Sequence, residues 1–187
     1  ELGMTHIRLG SIEEYEDVAT KNAYHSFRRR QTEEKRLRHV HLASRDSART
    51  PVQWNSSPNA GFSDVKPWFS VNPNYREVNA EKEEADSQSV LHFYRRCLRL
   101  RKGSDTLLWG DYREYFPQHP HLYVYERSCG TERILVVCSF SKKEQSWKLP
   151  KGYAWEGCTL LLCNYAEEPV PERLRPYEAR VLRWDGT

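Results

Sequence analysis

Residues 44–54 combine, in one polar stretch, side chains that proteins often use to bind ligands. The stretch contains two arginines, one aspartate, one proline and one tryptophan, and an Asn-Ala-Gly turn follows at 59–61. Each arginine offers a planar fork of N–H donors to oxygen atoms. The stretch is too polar and too broken to be a core element. Because rigid scaffolds present binding residues on loops, we predict that residues 44–79 form a functional loop.

The composition of residues 44–79 indicates an ordered loop rather than a helix or a disordered tract. Its four prolines exclude a long helix. Its five aromatic side chains supply the apolar area that disordered segments lack.

Helices are predicted on both sides of this loop, and strands after them. Apolar periodicity and capping residues predict helices over 12–30, over 33–43 with Thr32 as the N-cap, and over 89–102. After Gly103 the chain becomes a series of short segments rich in β-branched and aromatic residues. Strands are predicted at 109–116, 122–127, 134–140, 145–149, 159–164 and 179–184. Their spacing is typical of an antiparallel β-sandwich.

The charge distribution leaves two interpretations open. The net charge is +3, and arginine-rich blocks lie at 28–38 and 95–102. Such blocks form either a nucleic-acid or phosphate footprint or the solvated faces of helices. Acidic residues beside both blocks favour the second interpretation, so no nucleic-acid partner is expected.

Composition also argues against membrane, metal and nucleotide-cofactor classes. No apolar run approaches the roughly 18 residues of a membrane span. The five cysteines include no C-x-x-C pair, so we expect reduced thiols in a cytoplasmic protein and no zinc site. Phosphate-binding and dinucleotide-binding glycine motifs are absent, so no cofactor is expected.

The segment Arg45-Asp46-Ser47-Ala48-Arg49-Thr50-Pro51-Val52-Gln53-Trp54 closely resembles a motif of the α-amylase superfamily, glycoside hydrolase family 13. Its nearest likeness is to the α-glucosidase branch, which includes oligo-1,6-glucosidases and trehalose-6-phosphate hydrolases. Other segments follow in the family's order, at 1–5, 15–18 with Asn22, 57–62, 72–75, 93–102 and 174–179.

This resemblance implies an α+β fragment made of two parts. Residues 1–104 correspond to the C-terminal end of a (β/α)8 barrel, with its last β/α loop, a helical insertion and the last helix. Residues 105–187 correspond to an antiparallel β-sandwich C-terminal domain. The chain opens on Glu1 rather than methionine, which we interpret as a sign that it is cut from a longer protein. The loop up to residue 79 then faces the active site, since barrel active sites lie on these loops.

The resemblance also implies substrate-binding roles for arginines. Arg45 corresponds to the residue that holds the glucose at the cleavage site, and Arg49 is the second candidate substrate-binding residue. Two structural alternatives remain open. Arg45 could instead pair with Asp46 or a loop carbonyl, and Arg49 could shape the loop together with Gln53 and Trp54. For Trp54 itself we favour a buried loop anchor over a sugar-stacking platform.

No catalytic residue is predicted in this chain. The family's nucleophile, acid/base and third carboxylate lie on earlier barrel strands, and no acidic residue here matches their motifs. The implied parent enzyme is a retaining α-glucosidase acting on short gluco-oligosaccharides, and the chain alone is predicted to be inactive. Ala19 replaces a glutamate that hydrogen-bonds the leaving sugar in isomaltose-cleaving members, which weakens an α-1,6 assignment. Val52 replaces a commoner methionine and is a packing change.

Two further functional interpretations stay open. The chain could belong to a trehalose-6-phosphate hydrolase, for which the basic block at 28–38 could favour a phosphate. It could also be a non-catalytic, glucosidase-like interaction domain.

Overall fold

The computed structural model describes residues 11–26, 31–46 and 49–186. These residues form two compact units that divide between His92 and Phe93. The motif matched at 1–5 and the predicted helix end at 27–30 lie outside the described residues. The predicted domain boundary at 104/105 remains a prediction.

In the first unit, helix α1 spans Val18–Ser26 and helix α2 spans Glu33–Ala43, as the structure defines them. Thr32 caps α2 as predicted, since its side chain accepts a hydrogen bond from the Lys35 amide. Leu37 packs against a small cluster of four buried side chains in this region. The cluster consists of Ile12, Tyr15, Tyr24 and Val40.

The predicted continuous helix over 12–30 is wrong in its first part. A 3-10 turn covers Ile12–Glu14, and Tyr15 then takes an extended conformation with ψ of 141°. The next two amides, of Glu16 and Asp17, donate to the Asp46 side chain instead of continuing a helix. A carboxylate from the distant loop therefore fixes where α1 begins.

The loop after α2 is irregular but held by specific hydrogen bonds. The Gln53 side-chain amide donates to Asn74 Oδ1 at 3.2 Å and also to the Val78 carbonyl. The Ala80 amide donates to the Gln53 carbonyl at 2.8 Å. The loop thus closes on itself, and 3-10 turns occur within it at Pro58–Gly61 and Pro73–Arg76.

Two helices follow the loop. Helix α3, Ala80–Ala85, was not predicted, and its N-cap is Asn79, whose Oδ1 accepts from the Lys82 amide at 3.0 Å. Helix α4, Val90–Lys102, confirms the predicted third helix. No helix in the described ranges is both long and apolar enough to span a bilayer.

The second unit is built on an antiparallel sheet. Helix α5, Asp105–Trp109, was not predicted, and Ser104 caps it by accepting from the Leu107 amide; the strand predicted at 109–116 corresponds to β1. The strands are β1 Asp111–Tyr115, β2 Leu122–Cys129, β3 Glu132–Ser139, β4 Gln145–Ser146, β5 Cys158–Cys163, β6 Arg173–Leu174 and β7 Ala179–Asp185. Five of them form one sheet in the order β1-β2-β3-β7-β5, and β4 pairs with β6 in a separate ribbon.

Alternation along the strands places an apolar core on one face of this sheet. Strand β2 alternates buried Leu122 and Val124 with more exposed neighbours. Trp147 next to β4 and Leu174 of β6 belong to the same buried cluster as Val124 and Trp184. The ribbon therefore covers this face, as in two-layer β domains. The other face, together with α4, lines a cavity of about 280 Å³ that includes Phe93 and Val136.

A buried ionic cluster holds the turn that leads into β7. Glu178 is fully buried, and Arg180 is 1 % exposed. The Glu178 carboxylate accepts from Arg175 Nη2 at 3.0 Å and from Arg180 Nε at 2.8 Å. Burial alone would raise the pKa of Glu178, but these arginine donors outweigh it and lower the pKa to about 2.

Candidate functional site

Arg45 and Arg49, the two predicted substrate-binding residues, converge on one carboxylate. Arg45 Nη2 lies 2.7 Å from Asp17 Oδ1, and Arg49 Nη1 lies 4.0 Å from the same oxygen. The arginine side chains are 63 % and 45 % exposed, whereas that of Asp17 is 7 % exposed. The structure therefore places two largely exposed guanidinium groups around one buried anion.

Asp17 is held in place because it is the N-cap of α1. Its Oδ2 accepts from the Thr20 amide at 3.2 Å and from the Thr20 hydroxyl at 2.8 Å. This is the usual N-cap arrangement, in which a side-chain oxygen satisfies an otherwise unpaired amide of the first turn. Asp17 thus ties Arg45 to the helix start.

Hydrogen bonding lowers the pKa of Asp17. The largest cause is the bond from the Thr20 side chain, followed by that from Arg45, and together they exceed the opposing effect of burial. A carboxyl group that acts as a general acid needs a raised pKa. Asp17 is therefore an anchor for cations and not a proton donor.

Among the described residues, Arg45 pairs with Asp17 and not with Asp46 or a loop carbonyl. Asp46 is 5 % exposed, and its Oδ2 accepts from the Glu16 amide at 2.7 Å and the Asp17 amide at 3.1 Å. Sequence reasoning missed Asp17 as the partner of Arg45. Its N-cap spacing to Thr20 was a usable signal, since aspartate three residues before a threonine amide is a preferred helix start.

A small apolar cavity opens beside Arg45, between α1 and α2. Its volume is about 190 Å³. Ala19 and Ala23 of α1 and Ala43 of α2 form much of its wall, with His39 and Arg45 adding polar groups. Small side chains on both helices leave this space open. One of them is Ala19, which stands where isomaltose-cleaving members of the family that the sequence resembles have a glutamate.

The structure contradicts a buried anchoring role for the Trp54 side chain, which is 53 % exposed. The main chain of Trp54 does anchor the loop, since its amide donates to the Ala60 carbonyl at 2.9 Å. Its carbonyl accepts from the Glu81 amide at 2.9 Å. The indole is therefore presented on a fixed backbone.

The described ranges contain no group of three or more His, Cys, Asp or Glu side chains arranged to hold a metal ion. The chemistry that this part of the chain offers is hydrogen bonding and charge from the guanidinium groups.

Comparison with known proteins places this geometry in a family. Residues 1–110 match the model of the alpha-amylase catalytic domain. The chain is 39 % identical over 98 % of its length to an oligo-1,6-glucosidase of Parageobacillus thermoglucosidasius, of which it covers 34 %. It is 34 % identical over 96 % of its length to a trehalose-6-phosphate hydrolase of Escherichia coli, of which it covers 33 %. The chain thus spans about a third of the length of the curated relatives it matches.

Solved structures agree with these matches. The crystal structure of trehalose-6-phosphate hydrolase from Bacillus licheniformis superposes with a TM-score of 0.89 at 34 % identity, covering 97 % of this chain and 34 % of that one. Isomaltulose synthase from Klebsiella sp. LX3 gives a TM-score of 0.88 at 36 % identity, with the same coverage. Together with the antiparallel sheet, these likenesses confirm the predicted fold class, an α+β fragment with a C-terminal β domain. The chain belongs to the α-amylase family.

Proposed function

We propose that this chain is the substrate-facing C-terminal part of a retaining glycoside hydrolase that cleaves α-glucosidic bonds in short gluco-oligosaccharides. The observation that carries the proposal is the convergence of Arg45 and Arg49 on the buried Asp17 carboxylate, beside a cavity. Relatives over nearly the whole chain are oligo-1,6-glucosidases and trehalose-6-phosphate hydrolases, which supports this substrate class.

In this proposal Arg45 contacts the sugar. One of its Nη atoms donates to Asp17, and most of the side chain remains exposed. Its other N–H groups have no partner shown among the described residues and can donate to neighbouring sugar hydroxyls, which the planar fork suits. Arg49 Nη1 lies 4.0 Å from Asp17 Oδ1, more than 1 Å farther than Arg45 Nη2, and adds a second positive charge beside the same oxygen. Sugar binding needs no cofactor and no metal in this scheme.

The bond-breaking carboxylates belong, in this proposal, to residues outside the present sequence. Retaining hydrolysis needs a nucleophile and an acid/base about 5–5.5 Å apart. Asp17 is close to the arginines, but its lowered pKa does not fit the acid/base role, and its two oxygens, which are bonded to Thr20 and Arg45, do not fit the nucleophile role. We therefore propose that residues 1–104 complete a barrel, that 105–187 form the β domain, and that the chain alone does not hydrolyse glycosides. Its five free cysteines fit a reducing cytoplasm.

A second candidate function is hydrolysis of trehalose 6-phosphate. Two guanidinium groups share one carboxylate, so this surface carries an excess positive charge that a phosphate could neutralise. Ala19 in the cavity wall also offers no hydrogen bond to a leaving glucose. Both features favour a phosphorylated disaccharide over isomaltose.

A chimeric enzyme tests these proposals. This chain would replace the equivalent third of the Bacillus licheniformis hydrolase, and hydrolysis of trehalose 6-phosphate and isomaltose would be compared. We expect the folded chimera to hydrolyse at least one substrate, and the isolated chain to hydrolyse neither. Activity of the isolated chain would contradict the assignment of the carboxylates. A folded chimera inactive on both substrates would support the non-catalytic alternative instead.

A further inference from the structure

We propose that Asp46 and Asp17 are positioning residues for Arg45, acting in series from the loop through the start of α1 to the guanidinium group. The inference rests on the proposed function in that Arg45 is the residue that contacts the sugar. Neither aspartate touches substrate in this scheme. They set where the guanidinium lies and how it is oriented.

The first step is the contact of Asp46 with the start of the helix. Asp46 Oδ2 accepts from two successive amides, those of Glu16 and Asp17. Its other oxygen, Oδ1, is buried and has no hydrogen-bond partner among residues 11–26, 31–46 and 49–186. Asp46 therefore acts through a single oxygen, and that oxygen holds the backbone from which the Asp17 side chain projects.

The second step is the contact of Asp17 with the guanidinium. Both of its oxygens are occupied, since Oδ2 accepts from the amide and hydroxyl of Thr20 and Oδ1 accepts from Arg45. Asp17 is thus fixed by the helix on one side and holds Arg45 on the other. An arginine that is mostly exposed loses considerable rotamer freedom when it is held in one place. Asp17 supplies the only ion pair recorded for Arg45 among the described residues.

The different use of the two carboxylates predicts different effects of the same substitution. In Asp46→Asn the amide oxygen can take the Oδ2 position and accept both backbone bonds, while the NH2 group takes the Oδ1 position, where no described group is bound. In Asp17→Asn the NH2 group must face either the Arg45 guanidinium or the Thr20 backbone amide, both of which can only donate. Asparagine is therefore tolerated at 46 and disruptive at 17. In Asp46→Ala both backbone bonds are lost.

Two measurements on the chimera described above test this. Nitrogen-15 NMR of the arginine side chains reports whether the Arg45 guanidinium is held, since rotation of its Nη groups is slow only when it is paired. Amide hydrogen exchange at Glu16 and Asp17 reports whether their hydrogen bonds to Asp46 Oδ2 are formed. We expect Asp46→Asn to keep the slow rotation of the Arg45 Nη groups and to change the protection of the Glu16 and Asp17 amides less than threefold. We expect Asp17→Asn to lose the slow Nη rotation. We expect Asp46→Ala to lose the slow rotation and to reduce the protection of the two amides about tenfold or more.

The outcomes separate this inference from the proposed function. A held Arg45 signal in Asp17→Asn overturns the positioning role, and so does an Asp46→Asn variant that behaves like Asp46→Ala. If Asp46→Ala does not fold, the two asparagine variants alone decide the question. Titration of the chimera with isomaltose and with trehalose 6-phosphate tests sugar contact separately. Slow rotation of the Arg45 Nη groups that neither sugar changes counts against the sugar role and leaves the positioning role standing.

Discussion

Replacement of Glu178 by glutamine is expected to destabilise the β unit although it changes a single atom. Oε1 of Glu178 accepts from Arg175 Nη2 and Arg180 Nε, and Oε2 accepts from the Arg175 amide at 2.7 Å. Because donors face both oxygens, the new NH2 group of Glu178→Gln must point at an N–H. The substitution also leaves the buried Arg180 without its carboxylate.

Two considerations give the magnitude. Removing one partner of a buried ion pair typically costs about 3–5 kcal/mol. The lowering of the Glu178 pKa from 4.5 to about 2 corresponds to at most about 3 kcal/mol at neutral pH. Since Arg175 is 26 % exposed, solvent screens part of its contribution. We therefore expect the free energy of unfolding to fall by about 2–3 kcal/mol at pH 7.

The pH dependence has a definite sign. The folded-state pKa lies below the ordinary value, so the unfolded state binds more protons between pH 4.5 and about 2. The contribution of Glu178 is complete above pH 4.5 and is lost as the pH falls towards 2. Glu178→Gln removes this part of the pH dependence.

Urea unfolding of wild type and Glu178→Gln, between pH 3 and 7, measures both effects. The matched control is Glu167→Gln, because Glu167 also pairs with Arg175, at 3.0 Å, but is 76 % exposed. We expect the control to change the free energy of unfolding by less than about 1 kcal/mol. Equal effects of the two substitutions at pH 7 would refute the reasoning, as would a wild-type pH dependence that Glu178→Gln retains.

Three further predictions concern the loop, the thiols and the core. Gly61→Ala should destabilise the first unit by about 1–2 kcal/mol in thermal unfolding, because φ is +66° and a Cβ would lie 2.6 Å from Asn55 Oδ1; an unchanged transition would contradict this. Partial burial raises the pKa of the Cys138 thiol, so iodoacetamide should modify exposed Cys129 first, as mass spectrometry can show; equal rates would be evidence against the lower accessibility of Cys138. Trp184→Ala should cost about 3–5 kcal/mol in urea unfolding, since Trp184 is 6 % exposed in the core; a loss below about 1 kcal/mol would show that this cluster is not the core.

The sequence predicts elements whose signals are local. The start of α2 follows from Thr32 and the two glutamates after it, and α4 follows from its apolar periodicity. The long strands are recognisable because buried and exposed residues alternate, as they do from Leu122 in β2. Strand β6 has only two residues, which is too short for any periodicity to appear.

The features that the sequence does not predict depend on contacts between distant residues. The break before α1 arises because Asp46 binds amides 29 and 30 residues away. Both Asp17 and Asp46 accept backbone amides through Oδ2, so only the folded position of Arg45, 2.7 Å from Asp17 Oδ1, decides which of the two carboxylates it pairs with. The motif around Arg45 directs attention to this site, but only the fold shows which charges meet there. The exposure of Trp54 is likewise set by the folded loop and not by its composition.

The most direct test of sugar binding by Arg45 is the kcat/KM of the Arg45→Ala chimera. The matched control is Arg173→Ala, because Arg173 is also mostly exposed, at 62 %, and makes only a surface ion pair with Glu144 at 3.6 Å among the described residues. Loss of a charged hydrogen-bond donor to the substrate corresponds to about 1.5–3 kcal/mol, or roughly a 10- to 100-fold decrease. We predict a decrease of that size for Arg45→Ala and less than a twofold change for the control. A folded Arg45→Ala chimera with unchanged kcat/KM would contradict the proposal that this arginine contacts the sugar.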